Sequence, residues 1–382
     1  MRKIGIIFTA DVSHGGVYQY AQSMLDALMR DKSNDYVIFT NKNSAFDINN
    51  IEHRTIKESG NSILIRVARY LSLMFGIKHP LLLSNDEQNK YSDIDLFISP
   101  QNSPYPVCFL NRPYIFTMHD FQDRYYPGFF TLRERIIRII NSFVLCKGAS
   151  NIIVESNHVK SDVIKFTGVD PSKVSVVIAP PPKEILNLDR AEVDCALVKE
   201  KYNLPDKYLF YPAQTWPHKN HLNLIAAVKP IIEKDRSLNI VLTGSKNQHY
   251  KKILNAVTSN GLSKNIHFLG YVDYQDLPAI YIQSEMLVLP TLFESISIPI
   301  YEAFKLGVPV CCSNAVALPD QTGDAAVLFD PSNIEHIRES ILLLLNDTEL
   351  RNQCVSNGYK RINDLVNANY SEKLVSIISV SS

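Results

Sequence analysis

The amino-acid sequence predicts an α/β protein made of two Rossmann-like parallel-sheet domains that face each other across a cleft. Short apolar runs rich in β-branched residues alternate with amphipathic helical segments along the whole chain. Three consecutive prolines, residues 180–182, interrupt this alternation near the middle of the chain and predict a linker. The length of 382 residues also suits two domains better than a single core.

The first predicted domain, residues 1–180, alternates between strands and helices. The apolar runs that predict strands are KIGIIFT, DYVIFT, DLFIS, YIFTMHD and NIIVES. The segments with helical spacing include VYQYAQSMLDALMR and RERIIRIINSFVLCKGA. Since helices separate these strands, we expect a parallel sheet covered by helices on both faces.

The second predicted domain, residues 181–365, repeats the pattern. Its predicted strands are KYLFYPA, LNIVLTG, NIHFLG, EMLVLP and VPVCCSN, and its predicted helices are HLNLIAAVKPIIEK, QHYKKILNAVTSNG and IYEAFKLG. Residues 366–382 predict a C-terminal helix that packs back toward the first domain. Ligands of open α/β sheets bind outside the carboxyl ends of the strands, so residues that follow strands are the candidate site residues.

The composition excludes several classes of protein. Lys plus Arg equals Asp plus Glu at 39 each, and this zero net charge argues against a nucleic-acid binder. The six cysteines form no CxxC pair, so we expect reduced thiols in a cytosolic protein. No apolar stretch approaches the roughly 20 residues needed to cross a bilayer.

Two glutamates, Glu294 and Glu302, lie in the stretch TLFESISIPIYEAF, which follows a predicted buried strand. Pro299 suits the first position of a helix, which would place Glu302 in its first turn. The start of that helix would attract a phosphate, and the carboxylates would accept hydrogen bonds from sugar hydroxyls. The alternative is that Glu302 complements the helix dipole and Glu294 is a solvated loop residue.

The longer stretch TLFESISIPIYEAFKLGVPV, followed by SNAVALPDQTGDAAVLFDP, resembles glycosyltransferase family 4, the retaining nucleotide-sugar transferases of the GT-B fold. The resemblance implies that Glu294 contacts the donor sugar near the reacting carbon and that Glu302 binds the ribose hydroxyls. Many relatives carry glycines between the two acids, where this chain has Ser295, Ile296 and Ser297. The serine hydroxyls would donate to the donor phosphates.

A second motif, YPAQTWPHKN, follows the first strand of the second half. Family members usually have an arginine and, five positions later, a lysine here. Lys219 matches the lysine and would bind the diphosphate, whereas Gln214 stands in place of the arginine. The sequence of this motif is similar to that found in a subset of the family that builds bacterial surface polysaccharides, mannosyltransferases among them. Gly244, in LTGSKNQ, would allow close approach of the backbone to the nucleotide.

Two motifs of the first half also match the family. Gly15 and Gly16 lie between the first strand and the first helix, where the family often has two glycines that face the donor phosphate and the acceptor. His119 and Asp120 end a strand, and the resemblance implies that His119 contacts the donor sugar near the reaction centre. Asp120 would orient the histidine ring or contact the acceptor. Without the resemblance, the interpretation would be a structural histidine and an ordinary turn.

Residues 61–83 have the pattern of a basic amphipathic helix that is too short to span a bilayer. One interpretation is peripheral contact with the inner face of the cell membrane, and the other is an ordinary helix that faces the core. Many family members elongate lipid-linked glycans, which favours the first interpretation.

Taken together, the motifs predict a cytoplasmic, retaining, metal-independent hexosyltransferase that needs no cofactor. The expected donor is a nucleotide-diphosphate sugar, with GDP-mannose favoured and UDP-hexoses next. The expected acceptor is a saccharide, lipid-linked and part of a surface glycan such as O-antigen. Phosphorylases and epimerases share the fold, but phosphorylases need a pyridoxal-bearing lysine and are usually much larger. The other alternative is a non-catalytic partner subunit, supported by Gln214 and by the missing glycines near Ile296.

Overall fold

The computed structural model describes residues 1–10, 15–41, 51–56 and 85–381, together with positions 67, 68, 71, 72 and 75. The chain divides into two compact units. The first unit contains Met1–Ala179 and Asn369–Ser382, and the second contains Pro180–Ala368. The cleft that the sequence predicts between the two halves stays a prediction.

The first unit contains a seven-stranded parallel sheet with the order β3-β2-β1-β4-β5-β6-β7. Its strands are β1 Lys3–Phe8, β2 Asp35–Thr40, β3 Glu52–Thr55, β4 Leu96–Ser99, β5 Tyr114–Thr117, β6 Asn151–Val154 and β7 Val174–Val176. Strand order reverses between β1 and β4, which are neighbours. This is the doubly wound order, in which ligands bind at the reversal point, outside the carboxyl ends of the strands.

The second unit repeats the same arrangement in a six-stranded parallel sheet with the order β10-β9-β8-β11-β12-β13. Its strands are β8 Tyr208–Pro212, β9 Asn239–Thr243, β10 Ile266–Gly270, β11 Met286–Leu289, β12 Val310–Ser313 and β13 Ala326–Phe329. The reversal point lies between β8 and β11. The predicted pair of Rossmann-like parallel sheets is confirmed.

Helices connect these strands, as the amphipathic segments predict. The described α-helices are α1 Gly16–Leu28, α2 Asn85–Tyr91, α3 Gln122–Tyr125, α4 Leu132–Gly148, α5 Asn157–Thr167, α6 Lys183–Leu186, α7 Cys195–Tyr202, α8 His221–Lys234, α9 Tyr250–Ser259, α10 Leu277–Ile282, α11 Ile298–Leu306, α12 Leu318–Thr322, α13 Ile334–Asn346, α14 Thr348–Asn367 and α15 Tyr370–Val380.

The C-terminal helix α15 is part of the core of the first unit. Leu374, Ile377 and Ile378 are buried in one cluster with Met24 and Leu28 of α1. These α15 positions follow the spacing of three and four residues that places apolar side chains on one helix face. Helix α15 therefore packs, together with α1, in the apolar core on one face of the first sheet.

The central strands are buried because their sequences are almost entirely apolar. Every residue of β4, β5, β11 and β12 is buried. Among the described residues, which include all six cysteines, no disulfide is formed, and five of the cysteines are buried. No helix within the described ranges combines the length and the apolar character needed to cross a membrane.

Candidate functional site

The candidate site of the second unit lies at the reversal point of its sheet. Lys219 follows strand β8 and Glu294 follows β11, and these two strands are paired. The Lys219 ammonium donates a hydrogen bond to Glu294 Oε2 at 2.5 Å. About a fifth of each side chain is exposed, 20% for Lys219 and 19% for Glu294. The fold thus joins two residues that separate sequence motifs had predicted.

The backbone around Lys219 is fixed by buried hydrogen bonds. Asn220 adopts the left-handed conformation, with φ of 59°, and ends the turn that carries Lys219. Its side-chain amide donates to the carbonyls of Pro290, at 2.9 Å, and Pro331, at 2.8 Å. The Tyr211 hydroxyl donates to the Lys219 carbonyl at 2.7 Å. Asn220 therefore positions the lysine, and its amide hydrogens are already used inside the protein.

The two histidines next to Lys219 are held in the neutral form. Burial, followed by the positive charge of Lys219, lowers the pKa of His218 to about 3. The same two causes lower the pKa of His221 to about 3. Neither ring carries a charge near neutral pH, so the cation of this turn is the Lys219 ammonium.

The start of helix α11 differs in two ways from the prediction. The helix begins at Ile298, so Pro299 is its second residue and Glu302 its fifth, and the placement of Glu302 in the first turn is wrong. The backbone N–H of Ser297 donates to Gln321 Oε1 at 2.9 Å, and the Gln321 amide donates back to the Ser297 carbonyl at 2.7 Å. The Ser297 N–H is therefore not open to a phosphate, while Ser295 and Ile296 are partly exposed.

Glu302 is buried, with 2% of its surface exposed. It accepts hydrogen bonds from the hydroxyls of Tyr281, at 2.7 Å, and Tyr274, at 3.2 Å. Two tyrosine hydroxyls therefore occupy part of the carboxylate that the resemblance assigns to ribose, and that role stays a prediction.

Gln214 and Gly244 lie in two loops that pack on each other after β8 and β9. Gln214 Oε1 accepts a hydrogen bond from the Trp216 indole N–H at 2.7 Å. Gly244 has a φ of 113°, and a Cβ placed there would lie 2.8 Å from the Ala213 carbonyl carbon and from the Gln214 nitrogen. Loop packing thus explains why position 244 is glycine, and contact with the nucleotide stays a prediction.

In the first unit, the two glycines before α1 have different surroundings. Gly15 has a φ of 58° and its carbonyl accepts from the backbone N–H groups of Tyr18 and Gln19. Gly16 begins α1, and none of the described atoms outside its own helix and chain neighbours lies within 4 Å of a Cβ built there. Gly15 therefore has a conformational reason to be glycine, whereas Gly16 has none in its described surroundings.

His119 follows β5 and uses both ring nitrogens inside the first unit. Nε2 lies 2.9 Å from the Pro100 carbonyl, which follows β4, and Nδ1 lies 3.4 Å from Glu155 Oε2, which follows β6. A carbonyl only accepts, so Nε2 carries a hydrogen. Burial lowers the pKa of His119, but its contacts with Glu155 outweigh this effect and raise the pKa above its ordinary value.

Asp120 does not orient the His119 ring, because its carboxylate is used elsewhere. It accepts from the Gln122 backbone N–H at 3.0 Å and pairs with the Arg138 guanidinium. Glu155 is the carboxylate that contacts the ring. Sequence reasoning missed Glu155, although it directly follows a buried strand, the same signal that points to Glu294.

Within the part of the chain that the structure describes, no three His, Cys, Asp or Glu side chains form a cluster suited to a metal ion.

Comparison with known proteins shows which family the chain resembles. Residues 14–178 match the family model described as Glycosyltransferase Family 4, and residues 197–361 match the one described as Glycosyl transferases group 1. HepE of Anabaena, solved in complex with UDP and glucose, superposes with a TM-score of 0.76 at 15% identity, covering 99% of this chain and 100% of that one.

Curated relatives include two proteins of Escherichia coli. O-antigen chain mannosyltransferase B is 31% identical over 45% of this chain and 45% of that protein. Serotype-specific mannosyltransferase WbdA is 26% identical over 54% of this chain and 26% of that protein. The match covers less than half the length of each relative. The two family models together span most of the chain and the fold agrees with them, so the chain belongs to glycosyltransferase family 4 and has the GT-B fold.

Proposed function

We propose that this protein is a retaining, metal-independent glycosyltransferase that moves a hexose from a nucleotide-diphosphate sugar to a growing surface glycan. The observation that carries the proposal is the contact between Lys219 and Glu294 at the reversal point of the second sheet. A cation beside a carboxylate, both partly open to solvent, suits a ligand in which a diphosphate adjoins a hydroxyl-rich sugar.

In the proposed reaction, the bond between the sugar C1 and the diphosphate oxygen breaks, and a bond forms between C1 and an acceptor hydroxyl oxygen. The acceptor proton passes to the departing phosphate. Lys219 stabilises the negative charge that develops on the diphosphate, with hydroxyl donors from Ser295 and Ser297. Glu294 accepts hydrogen bonds from the sugar and stabilises the positive character at C1.

The remaining residues have supporting roles in this proposal. Glu302 and the Gly244 loop bind the nucleoside, and Gln214 takes the place of the family's arginine without its charge. In the first unit we assign the acceptor to Gly15 and Asp120, with Gly16 facing the donor phosphate. A ligand that reaches His119 meets a ring whose nitrogens are already paired, so its contribution is electrostatic.

Mannose is the favoured sugar, because the two curated relatives described above are named mannosyltransferases. UDP-hexoses come next, since HepE was solved with UDP and glucose. We infer a lipid-linked acceptor, such as an O-antigen intermediate, and work at the inner face of the cell membrane. Most of residues 61–83, the predicted membrane-contacting segment, lies outside the described residues.

The test is a panel of nucleotide sugars assayed for release of nucleoside diphosphate, with membrane lipid extract as acceptor. Lys219→Ala and Glu294→Ala are assayed beside Lys229→Ala, a control from an exposed pair with Glu233 on α8. We expect release from one donor that both site variants lose and the control keeps. The anomeric configuration of the product, determined by NMR, tests retention.

Ligand binding has an independent reporter in Trp216, the one tryptophan of the chain. Trp216 lies three residues before Lys219 and its indole donates to Gln214, so its fluorescence reports this loop. We expect GDP or UDP to change the emission of the wild type. No diphosphate release from any donor, with little or no change in this emission, would support the alternative of a non-catalytic partner subunit.

A further inference from the structure

The carboxyl ends of three neighbouring strands of the first sheet meet at His119. Strands β4, β5 and β6 are consecutive in the sheet. Pro100 follows the first, His119 the second and Glu155 the third. The imidazole ring bridges the other two residues through its two nitrogens. A change in the orientation of this ring would therefore alter all three loops.

The pair formed by His119 and Glu155 is removed from water. The exposed fractions of the two side chains are 13% and 5%. Tyr20 of α1 packs edge-on against the His119 ring, with 5.0 Å between the ring centroids, and its hydroxyl lies 2.9 Å from Thr117 Oγ1. Tyr370, the first residue of α15, is also buried beside this cluster. In such surroundings opposite charges attract each other more strongly than in water, and a charge left without its partner is costly.

The groups around the ring favour its charged form. Glu155 faces it from the end of β6, and Asp120, although paired with Arg138, adds a smaller negative contribution from its own loop. Tyr20 and Tyr370 remain neutral, because burial raises the pKa of each hydroxyl. Burial also raises the pKa of Glu155, with His119 opposing this effect.

We propose that Glu155 is a positioning residue that holds His119 as an imidazolium, with its Nε2–H fixed to the Pro100 carbonyl. This inference rests on the proposed function only in what the charge is for. An imidazolium whose Nε2–H is bound to a carbonyl cannot serve as a general base. It supplies a fixed positive charge at the end of β5, where the sequence predicts contact with the donor sugar.

Glu155→Gln tests the proposal, because it removes the negative charge and keeps the size of the side chain. A glutamine amide can donate to Nδ1 of a neutral ring, so the ring orientation is kept while its charge is lost. Asp162→Asn is the matched control, since Asp162 is another buried carboxylate of the first unit, on α5, and pairs with Tyr125 and His158 instead.

The measurement is the NMR titration of the His119 ring nitrogens in the full-length chain, with His119→Gln used to assign the signal. We expect the wild-type ring to titrate above the ordinary pKa of histidine, with Nε2 protonated throughout. In Glu155→Gln the pKa falls, and in Asp162→Asn it does not. An ordinary or lowered pKa in the wild type would overturn the proposal, even if the variant failed to fold.

Activity provides the second readout. We expect Glu155→Gln to lower kcat by about tenfold to a hundredfold, with less change in the KM for the donor and an altered pH profile of kcat. An unchanged pH profile and kcat would contradict the role at the site. The titration needs no substrate, so failure of the transferase proposal leaves that test of Glu155 intact.

Discussion

Each unit places a basic and an acidic side chain in contact at the carboxyl ends of neighbouring strands, and the two pairs differ in their exposure. Lys219 and Glu294 of the second unit are each about a fifth exposed, whereas Glu155 of the first unit is 5% exposed and His119 13%. A ligand can contact Lys219 and Glu294 without opening the core. Contact with Glu155 would require the burial to be undone, so one pair suits binding and the other suits positioning.

The pKa values of the histidines in the two units are shifted in opposite directions, because the neighbouring charges have opposite signs. His119 lies beside Glu155, and its pKa is raised. His218 and His221 lie beside Lys219, and burial together with that positive charge lowers the pKa of both to about 3. Burial lowers the pKa of all three rings, and the sign of the nearest charge decides whether that lowering is outweighed or reinforced.

The largest expected effect comes from removing the negative charge of the Lys219–Glu294 pair. Glu294→Gln keeps the size of the side chain but weakens its interaction with a donor sugar that becomes positive at C1. We expect kcat/KM to fall by about a hundredfold to a thousandfold. Glu233→Gln removes a carboxylate from the exposed Lys229–Glu233 pair and serves as the control. A loss below about tenfold would remove Glu294 from the catalytic residues.

The next largest effect is expected from a residue that holds Lys219 in place. Asn220→Ala leaves two buried carbonyls, those of Pro290 and Pro331, without their amide donor. It also places an alanine at a φ of 59°. We expect a loss of about 2 to 4 kcal/mol in the free energy of unfolding, measured by urea denaturation. Asn220→Gly relieves the backbone strain and should lose less, and equal losses would show that strain is unimportant here.

Gly244→Ala tests a glycine whose surroundings are backbone. The added methyl group would lie 2.8 Å from the Ala213–Gln214 peptide, at a φ of 113°. Since the three nearest atoms are backbone and cannot move aside as a side chain can, we expect a loss of about 2 to 3 kcal/mol in the free energy of unfolding. An alanine variant as stable as the wild type would show that the two loops are not rigidly packed.

The lowered histidine pKa values predict acid sensitivity in the second unit. The folded pKa of His221, about 3, lies below its ordinary 6.5, so protonation favours the unfolded chain and stability is lost as pH falls from 6.5 toward 3. The loss is about 2 kcal/mol per histidine between pH 7 and pH 5.

His221→Phe removes the contribution of His221 to this sensitivity and keeps a ring against Tyr211, whose ring centroid lies 4.9 Å from that of His221. Urea denaturation at pH 7 and pH 5 should show a smaller difference for this variant than for the wild type. His53→Gln, at an exposed histidine, should keep the wild-type difference. His119 and Glu155 contribute in the opposite sense, because their raised pKa values favour the folded state at low pH and that stability is lost as pH rises.

The sequence was sufficient to predict the two parallel sheets, because their central strands are continuous apolar runs. It missed β3, β7 and β13, which are all edge strands of three or four residues. Strands β7, VSV, and β13, AVLF, contain apolar residues but are too short to show a periodic pattern. Strand EHRT of β3 contains no apolar residue at all.

For the site, Lys219, Glu294 and His119 could be predicted because each of them follows a predicted strand. The partners were less predictable, because contacts such as that between Glu155 and His119, or between Gln321 and Ser297, depend on how distant loops pack. The sequence gives the residue type at each strand end, whereas burial decides whether that residue faces a ligand or another side chain.

The smallest expected effect on stability separates binding from structure in the first unit. Gly16→Ala meets no described atom within 4 Å outside its own helix and chain neighbours, so we expect a change below about 0.5 kcal/mol in the free energy of unfolding. If Gly16 faces the donor phosphate, the added methyl group nevertheless lowers the affinity for nucleotide, measured by Trp216 fluorescence. Gly15→Ala, at a φ of 58°, should instead lose stability. Unchanged affinity in a stable Gly16→Ala variant would remove Gly16 from the donor site. The residues of the first unit would then contribute to positioning, as proposed for the buried His119–Glu155 pair, more than to donor binding.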